Sequence, residues 1–226
     1  MARIVKEHQQ RRDEILDAAQ RLFYGRGYEK TSVADVIAAV GIAKGTFYHY
    51  FKSKSELLDQ IVARQAQRID RIIDLVLKEP EENAIVELNN IFAAIGEYKA
   101  ENRQVMLMML RTLYSDENIV LLNKLTKTRI KIVAPRISRV ISRGISEGLF
   151  HTEHPDVIAE MILTMSLSLS DEMSRLLLHQ GFDRGAKTII LEKCRIFEAA
   201  VARILGAPAG SITFCNTKTI EAFFDH

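Results

Sequence analysis

Residues 32–51, SVADVIAAVGIAKGTFYHYF, constrain the fold more than any other stretch of this chain. Val33, Val36, Ile37 and Val40 recur at i, i+3, i+4 and i+7, one buried face of a short amphipathic helix. Gly41 follows, and glycine enters the left-handed backbone region cheaply, as a tight helix-to-helix turn commonly needs. In the next segment Phe47 and Phe51 lie one turn apart and are expected to be core. Lys44, Thr46, Tyr48, His49 and Lys52 are left to face outward. Two short helices at a steep angle, the second with a basic and aromatic outer face, make a helix-turn-helix.

A helical hairpin buried in an all-helical core has the same apolar pattern. The second helix argues against that here. It is short and polar, and Gly45 in its first turn weakens it by roughly 1 kcal/mol relative to alanine. Such a glycine is expected where another body approaches the backbone closely. Between residues 36 and 55 there is no acidic residue, whereas Lys44, Lys52 and Lys54 all occur, an electrostatic footprint for phosphate. Helix N-termini, with their unpaired amides and partial positive charge, also bind phosphate. This adds Thr31 and Ser32 at the first helix and Lys54 at the helix after the motif as clamps on the DNA backbone.

From Arg11 to Leu58 the chain resembles the N-terminal domain of the tetracycline-repressor (TetR) family of bacterial transcription regulators. The residues in register are Ile15, Leu16, Ala18, Ala19, Leu22 and Phe23, the Gly27-Tyr28 turn and Thr31. Gly41, Lys44, Gly45, Tyr48 and Phe51 of the recognition unit, and Lys54, Leu57 and Leu58 of the fourth helix, continue the match. Ala43 departs from the pattern, since members usually carry Ser or Thr there as a helix cap worth typically ~1 kcal/mol. The resemblance implies that Lys44, Tyr48 and His49 meet phosphates, with Thr46, Tyr48 and Tyr50 near bases or sugars. It also implies a C-terminal body that binds a small effector between its helices and dimerises through its last two long helices.

Charge distribution fits a basic head on a neutral body. The net charge is only +2, but residues 1–70 hold 12 Lys and Arg against 9 Asp and Glu, leaving 19 against 20 elsewhere. No apolar run approaches the 18 residues of a membrane span, and MARIVKEHQQRRDE lacks the apolar stretch of a signal peptide. Cys194 and Cys215 form no CxxC and imply no disulfide framework, which points to a reducing cytoplasm.

The expected fold is all-α, with a three-helix head at 9–69 carrying the helix-turn-helix and a helical-bundle effector-binding and dimerisation domain at 70–226. Helix one is expected from about Gln9 to Tyr24, with Gly25 and Gly27 as its stop. Ser32 with Asp35 and Ser53 with Glu56 read as capping boxes for the second and fourth helices. The fourth helix should run from Lys54 toward Pro80 and link head to body as a rigid lever. Further helices are expected at 84–100, 103–114, 118–147, 155–180 and 184–205, with Pro135 kinking or splitting the third of these. In the tail, Phe214, Phe223 and Phe224 are expected to pack on the body or across a partner.

The body is less informative. A mostly apolar effector is expected between the fourth helix and the helices at 84–147, lined by some of Tyr98, Met106, Met109, Leu113 and Met165, because methionine adapts to flexible apolar ligands. Plain core packing gives the same methionines. Asp171 and Glu172 either recognise a cationic ligand, pair with a basic residue such as Arg175, or face solvent. His151, Glu153 and His154 read as a solvated turn rather than a metal site, and no cofactor is expected. A homodimer through 155–180 and 184–205 follows from apolar faces wider than one core stripe.

The leading function is a DNA-binding repressor released from its operator duplex by a small molecule. The alternative is a DNA-binding regulator or architectural factor with no effector. A small helical enzyme finds no GxSxG elbow, glycine-rich phosphate loop, HExxH, or cysteine with a local base to support it.

Overall fold

The computed structural model describes residues 2–78, 81–102, 118–180, 183–216, 220, 221 and 224. Among them are eight α-helices and no strand. They are α1 (Ala2–Arg26), α2 (Val33–Val40), α3 (Lys44–Tyr50), α4 (Lys54–Val76), α5 (Ala84–Glu101), α6 (Ile119–Ser146), α7 (Pro155–Gln180) and α8 (Arg184–Leu205). The helix expected at 103–114 lies outside the described residues.

The chain divides into two compact units. The described residues up to Gln65, together with 118–128, form the first; the others form the second, so α4 supplies residues to both. In the first unit Ile15, Ala19 and Phe23 of α1, Val36 of α2, Phe47 and Phe51, and Leu57, Leu58 and Ile61 of α4 are all buried. Polar staples fasten α1 to α4 outside this core. Arg12 donates to Gln60 at 2.8 Å, and Arg64 donates to Asp17 at 2.6 Å and to Gln20.

α1 starts seven residues earlier than the apolar pattern shows, because ARIVKEH contains no helix breaker. It ends before Gly27, which takes φ 95°. Asn118, fully buried, then holds the turn: its Oδ1 accepts from the Tyr28 amide at 2.7 Å and its Nδ2 donates to the Phe23 carbonyl at 3.2 Å. An ion pair of Lys124 with Asp59 at 2.5 Å adds a second tie.

The second unit is built around Ile73, Leu88, Ile91, Val133, Ile137, Ile141, Phe150, Ile162, Phe197, Val201 and Leu205. α5 is capped twice. Asn83 Oδ1 accepts from the amides of Ile85 and Val86, and the Glu147 carboxylate accepts from the Ala84 amide at 2.8 Å. That amide, with Arg143 at 2.6 Å, holds the Glu147 carboxyl below its usual range. Arg136 bridges Asp70 at 3.1 Å and Asp74 at 2.9 Å, joining α6 to the C-terminal half of α4.

Two expectations are corrected. Pro135 does not split α6, which runs unbroken through it. Pro135 sits on the exposed face, where the carbonyl that loses its partner can bond to water, while neighbouring Val133, Ala134 and Ile137 stay buried. The second concerns the cysteines. Cys194 on α8 and Cys215 in the tail are joined by a disulfide, with Cα atoms 6.1 Å apart. No spacing motif announces it, because the tail must first fold back. Phe214 makes it do so, its ring lying 5.0 Å from that of Phe92 and 4.4 Å from that of Phe197. Phe224 also packs on the body, against the Ile190–Cys194 patch, whereas Phe223 lies outside the described residues.

Candidate nucleic-acid interface

The motif is held from below by its aromatic pair. Phe47 and Phe51 are buried with ring centroids 6.1 Å apart, and the Arg12 guanidinium lies 5.4 Å from the Phe51 ring. Gly41 ends α2 at φ 72°, its amide donating to the Ile37 carbonyl at 3.0 Å. Three residues later α3 begins, with Ala43 at the cap position and no side-chain cap bond.

This base fixes what α3 turns outward. Lys44, Gly45, Tyr48 and His49 are exposed, Tyr48 to 47%, while Thr46 and Tyr50 are half-buried. Tyr50 stacks on His8 of α1 at 4.6 Å, and His8 meets His49 at 5.5 Å, so the end of α3 is braced by α1. Sequence reasoning missed His8, because nothing local marks it as a neighbour of α3. A Cβ placed on Gly45 would meet nothing within 4 Å.

Beside the motif, Lys54 lies 4.2 Å from the Tyr28 ring and its Nζ donates to the Glu29 carbonyl at 3.4 Å. Burial holds the Tyr28 phenol above its usual range, with Lys124 pulling the other way.

The two residues at the start of α2 differ sharply. Thr31 is 1% exposed; its hydroxyl donates to the Gly27 carbonyl at 2.8 Å and its amide to the Tyr28 carbonyl at 3.2 Å. Both donors are spent on the turn, so Thr31 shapes the interface from inside and does not face outward. Ser32 is exposed and caps α2. Its hydroxyl accepts from the Asp35 amide at 3.1 Å while its own amide donates to the Asp35 carboxylate at 2.7 Å. The Ser32 hydroxyl also donates to the Asp35 carboxylate at 2.6 Å, and that bond, then the Ser32 amide, holds the Asp35 carboxyl below its usual range. At α4 the Ser53 hydroxyl caps the Glu56 amide, but the Glu56 carboxylate reaches the Lys52 amide, one residue before the expected partner.

In the second unit Tyr98 and Met165 are half-buried and line neither described cleft, while Met106, Met109 and Leu113 lie outside the described residues. One cleft, of about 350 Å3, is formed by Asn89, Asn90 and Ala93 of α5 under residues 213–216 of the tail. A wider, open one of about 800 Å3 runs along Ile145, Gly148 and residues 150–153. Asp171 and Glu172 are paired with Arg175 at 3.2 Å and Lys193 at 2.5 Å. His151 Nδ1 lies 3.2 Å from the Gly206 carbonyl; among the described residues no three His, Cys, Asp or Glu side chains group as metal ligands.

Lys99 on α5 stands out. Burial around its ammonium, with Arg129 nearby, lowers its pKa to about 8. Among the described residues no carboxylate pairs with it. A lysine whose pKa is lower in the folded than in the unfolded chain destabilises the fold fully below pH 8, and that penalty fades as pH rises from about 8 to its ordinary 10.5. Lys99→Met is therefore expected to raise stability at pH 7, on the order of 1–2 kcal/mol after allowance for solvent screening. The gain should shrink between pH 8 and 10.5. Melting curves of both proteins across that range check it; a gain independent of pH would mean that packing, not charge, is responsible.

An exposed, acid-free recognition helix on a buried aromatic base makes the first unit a helix-turn-helix DNA-binding head. Residues 15–61 match the model for bacterial regulatory proteins of the tetR family, and residues 100–178 match the tetracyclin repressor-like C-terminal domain. The chain belongs to the TetR family and is a DNA-binding transcriptional regulator. Members of this family bind operator DNA and small-molecule ligands and act as dimers.

Among curated relatives, the Transposon Tn10 TetC protein of Escherichia coli is 25% identical over 162 residues, covering 70% of this chain and 79% of that protein. The HTH-type transcriptional repressor KstR2 of Mycolicibacterium smegmatis is 27% identical over 160 residues, covering 67% and 72%. Of solved structures, RolR without ligand superposes with a TM-score of 0.58 at 18% identity, covering 93% of this chain and 95% of its own. The fatty acid degradation regulator FadR from Bacillus halodurans gives 0.58 at 20%, covering 83% and 94%. Both share the fold. No described helix is long and apolar enough to cross a membrane.

Proposed function

We propose that this regulator is a cytoplasmic repressor, not an enzyme, whose homodimer leaves its operator when a small molecule binds the second unit. The outward face of α3 carries the reading: Lys44, Gly45, Tyr48 and His49 are exposed over two buried phenylalanines. The DNA-binding residues are Ser32, Lys44, Gly45, Thr46, Tyr48, His49, Tyr50 and Lys54, within a domain at 9–69. Residues 70–226 bind the effector and dimerise. Lys44 and Lys54 set affinity through phosphates, and Thr46 with the tyrosines sets part of the sequence preference.

DNA selection with the purified protein, followed by salt titration, tests this. Roughly eight phosphate contacts per dimer give a log–log salt slope of about −7. Lys44→Ala, losing one contact per protomer, should weaken all sequences about equally and flatten the slope by about 2. Thr46→Ala should instead relax preference at one position of each half-site. Unchanged affinity in both variants would refute the recognition-helix assignment.

The effector is mostly apolar, as adaptable methionine side chains would suit. Its binding moves α4, whose C-terminal half is tied to α6 through Arg136. Coupling of about 1–3 kcal/mol lowers operator affinity about 5- to 150-fold, and by linkage the operator weakens ligand binding by the same factor. RolR has been solved with resorcinol, so a neighbour in fold accepts a small aromatic molecule. Calorimetry with and without operator decides against a regulator that has no effector. A ligand bound equally well in both states is not an inducer.

A further inference from the structure

The cysteine pair is placed to open and close rather than only to brace. Cys194 is 2% exposed on α8, whereas Cys215 is half-exposed where the tail crosses the 350 Å3 cleft. The tail up to Cys215 is held without the disulfide. Phe214 is wedged between Phe92 and Phe197, and the Glu198 carboxylate accepts from the amides of Phe214 at 2.8 Å and Cys215 at 3.1 Å. Asn89 adds bonds with Thr213 at 2.9 Å and Ser211 at 2.8 Å. These ties keep the two thiols side by side after reduction, so the bond can re-form. Beyond Cys215 the described anchors include Ile220 and Phe224 on the Ile190–Cys194 patch, and Lys187 with Glu221 at 3.4 Å.

We propose that Cys194 and Cys215 are a reversible dithiol–disulfide site, oxidised by low-molecular-weight disulfides, that fastens the tail to α8 and fixes one wall of the cleft. The half-exposed Cys215 thiolate attacks one sulfur of the small disulfide RSSR. One RSH leaves and a mixed disulfide forms on Cys215. The Cys194 thiolate then attacks the Cys215 sulfur and expels the second RSH. The protein dithiol loses two electrons and two protons; RSSR gains both and becomes two RSH. Reduction reverses this and removes the covalent tie between α8 and the tail.

The full chain, reduced with dithiothreitol and desalted, is treated with oxidised glutathione, alkylated and weighed by mass spectrometry. Alkylated under denaturing conditions, both thiols should react in the reduced protein and neither after treatment, with the chain monomeric on a denaturing non-reducing gel. Cys194→Ser should trap one glutathione on Cys215, while Cys215→Ser should take up none, because Cys194 is buried. In the unaltered chain, reduction should speed hydrogen exchange about tenfold at the Ile220 amide, which donates to the Asn216 carbonyl at 3.1 Å beyond the disulfide. It should also lower Tm by about 5–10 °C, as expected for opening a loop of this length. Thiols that stay alkylatable in oxidised glutathione, or a bond that dithiothreitol opens only after denaturation, would overturn the proposal. None of these readouts uses DNA, so the result is separate from the operator reading.

Discussion

The pair Met161→Glu and Ile196→Glu is expected to leave a folded chain that no longer dimerises and binds full-length operator 10²- to 10⁴-fold more weakly. Met161 on α7 and Ile196 on α8 are 49% and 63% exposed in the single chain, so glutamate there costs the fold little. Val157 and Leu178, also on α7, are exposed large apolar side chains as well. A regulator that joins two heads gains about 10²- to 10⁴-fold in avidity from holding the second near its half-site once the first is bound. A dimer with two-fold symmetry also fixes the operator as a near-palindrome with half-sites a whole number of helical turns apart. Four carboxylates brought together at such a seam would repel and would have to be desolvated. Light scattering should report a monomer at micromolar concentration, with full-site and half-site duplexes binding about equally. A variant that stays dimeric and keeps the parent's operator affinity would place the seam elsewhere.

What was legible in the sequence was local. The i, i+4 pair Phe47 and Phe51 announced the base of the recognition helix, and Ser32–Asp35 announced its neighbour's cap, because both depend only on helix geometry. The ends of α7 and α8 were legible for the same reason, with Pro155 opening one and Gly206, at φ 62°, closing the other. What failed depended on distant neighbours. Thr31 and Ser32 look equivalent as hydroxyls at a helix start; only Ser32 takes the cap, and the Gly27 carbonyl claims Thr31. Asn118 lies 90 residues from the Tyr28 amide it holds, and a single asparagine carries no periodic signal. The cysteine pair depends on Phe214 first finding its aromatic slot. At Pro135 the split does not occur, because a breaker's effect depends on which face of the helix it occupies. The proposed effector residues Tyr98, Met106, Met109, Leu113 and Met165 rest on side-chain type alone, and Lys99 looks in sequence like any lysine near a helix end. Its signal, that no carboxylate among the described residues pairs with it, appears only in three dimensions.

Gly45→Ala is expected to separate folding from function with opposite signs. Alanine is the better helix former by up to about 1 kcal/mol, and the added methyl would meet nothing within 4 Å, so the protein should melt slightly higher. A glycine kept at a position where alanine fits and stabilises points to a constraint from outside the chain. With Lys44 before it and Thr46 after it on a seven-residue helix, the proposed external body is the DNA backbone. A methyl between that backbone and α3 would push the phosphate away and lengthen the neighbouring contacts. Hydrogen bonds to charged groups contribute about 1.5–3 kcal/mol each. Losing one per half-site therefore costs about 3–6 kcal/mol per dimer, or at least about 100-fold in operator affinity. The loss should persist at low salt, because it is steric rather than a missing charge, and the salt slope should change less than for Lys44→Ala. Thermal melting and operator titration on one preparation test both halves. A variant that melts higher and binds as tightly as the parent would remove Gly45 from the interface, and one that melts lower would show the glycine serving the fold.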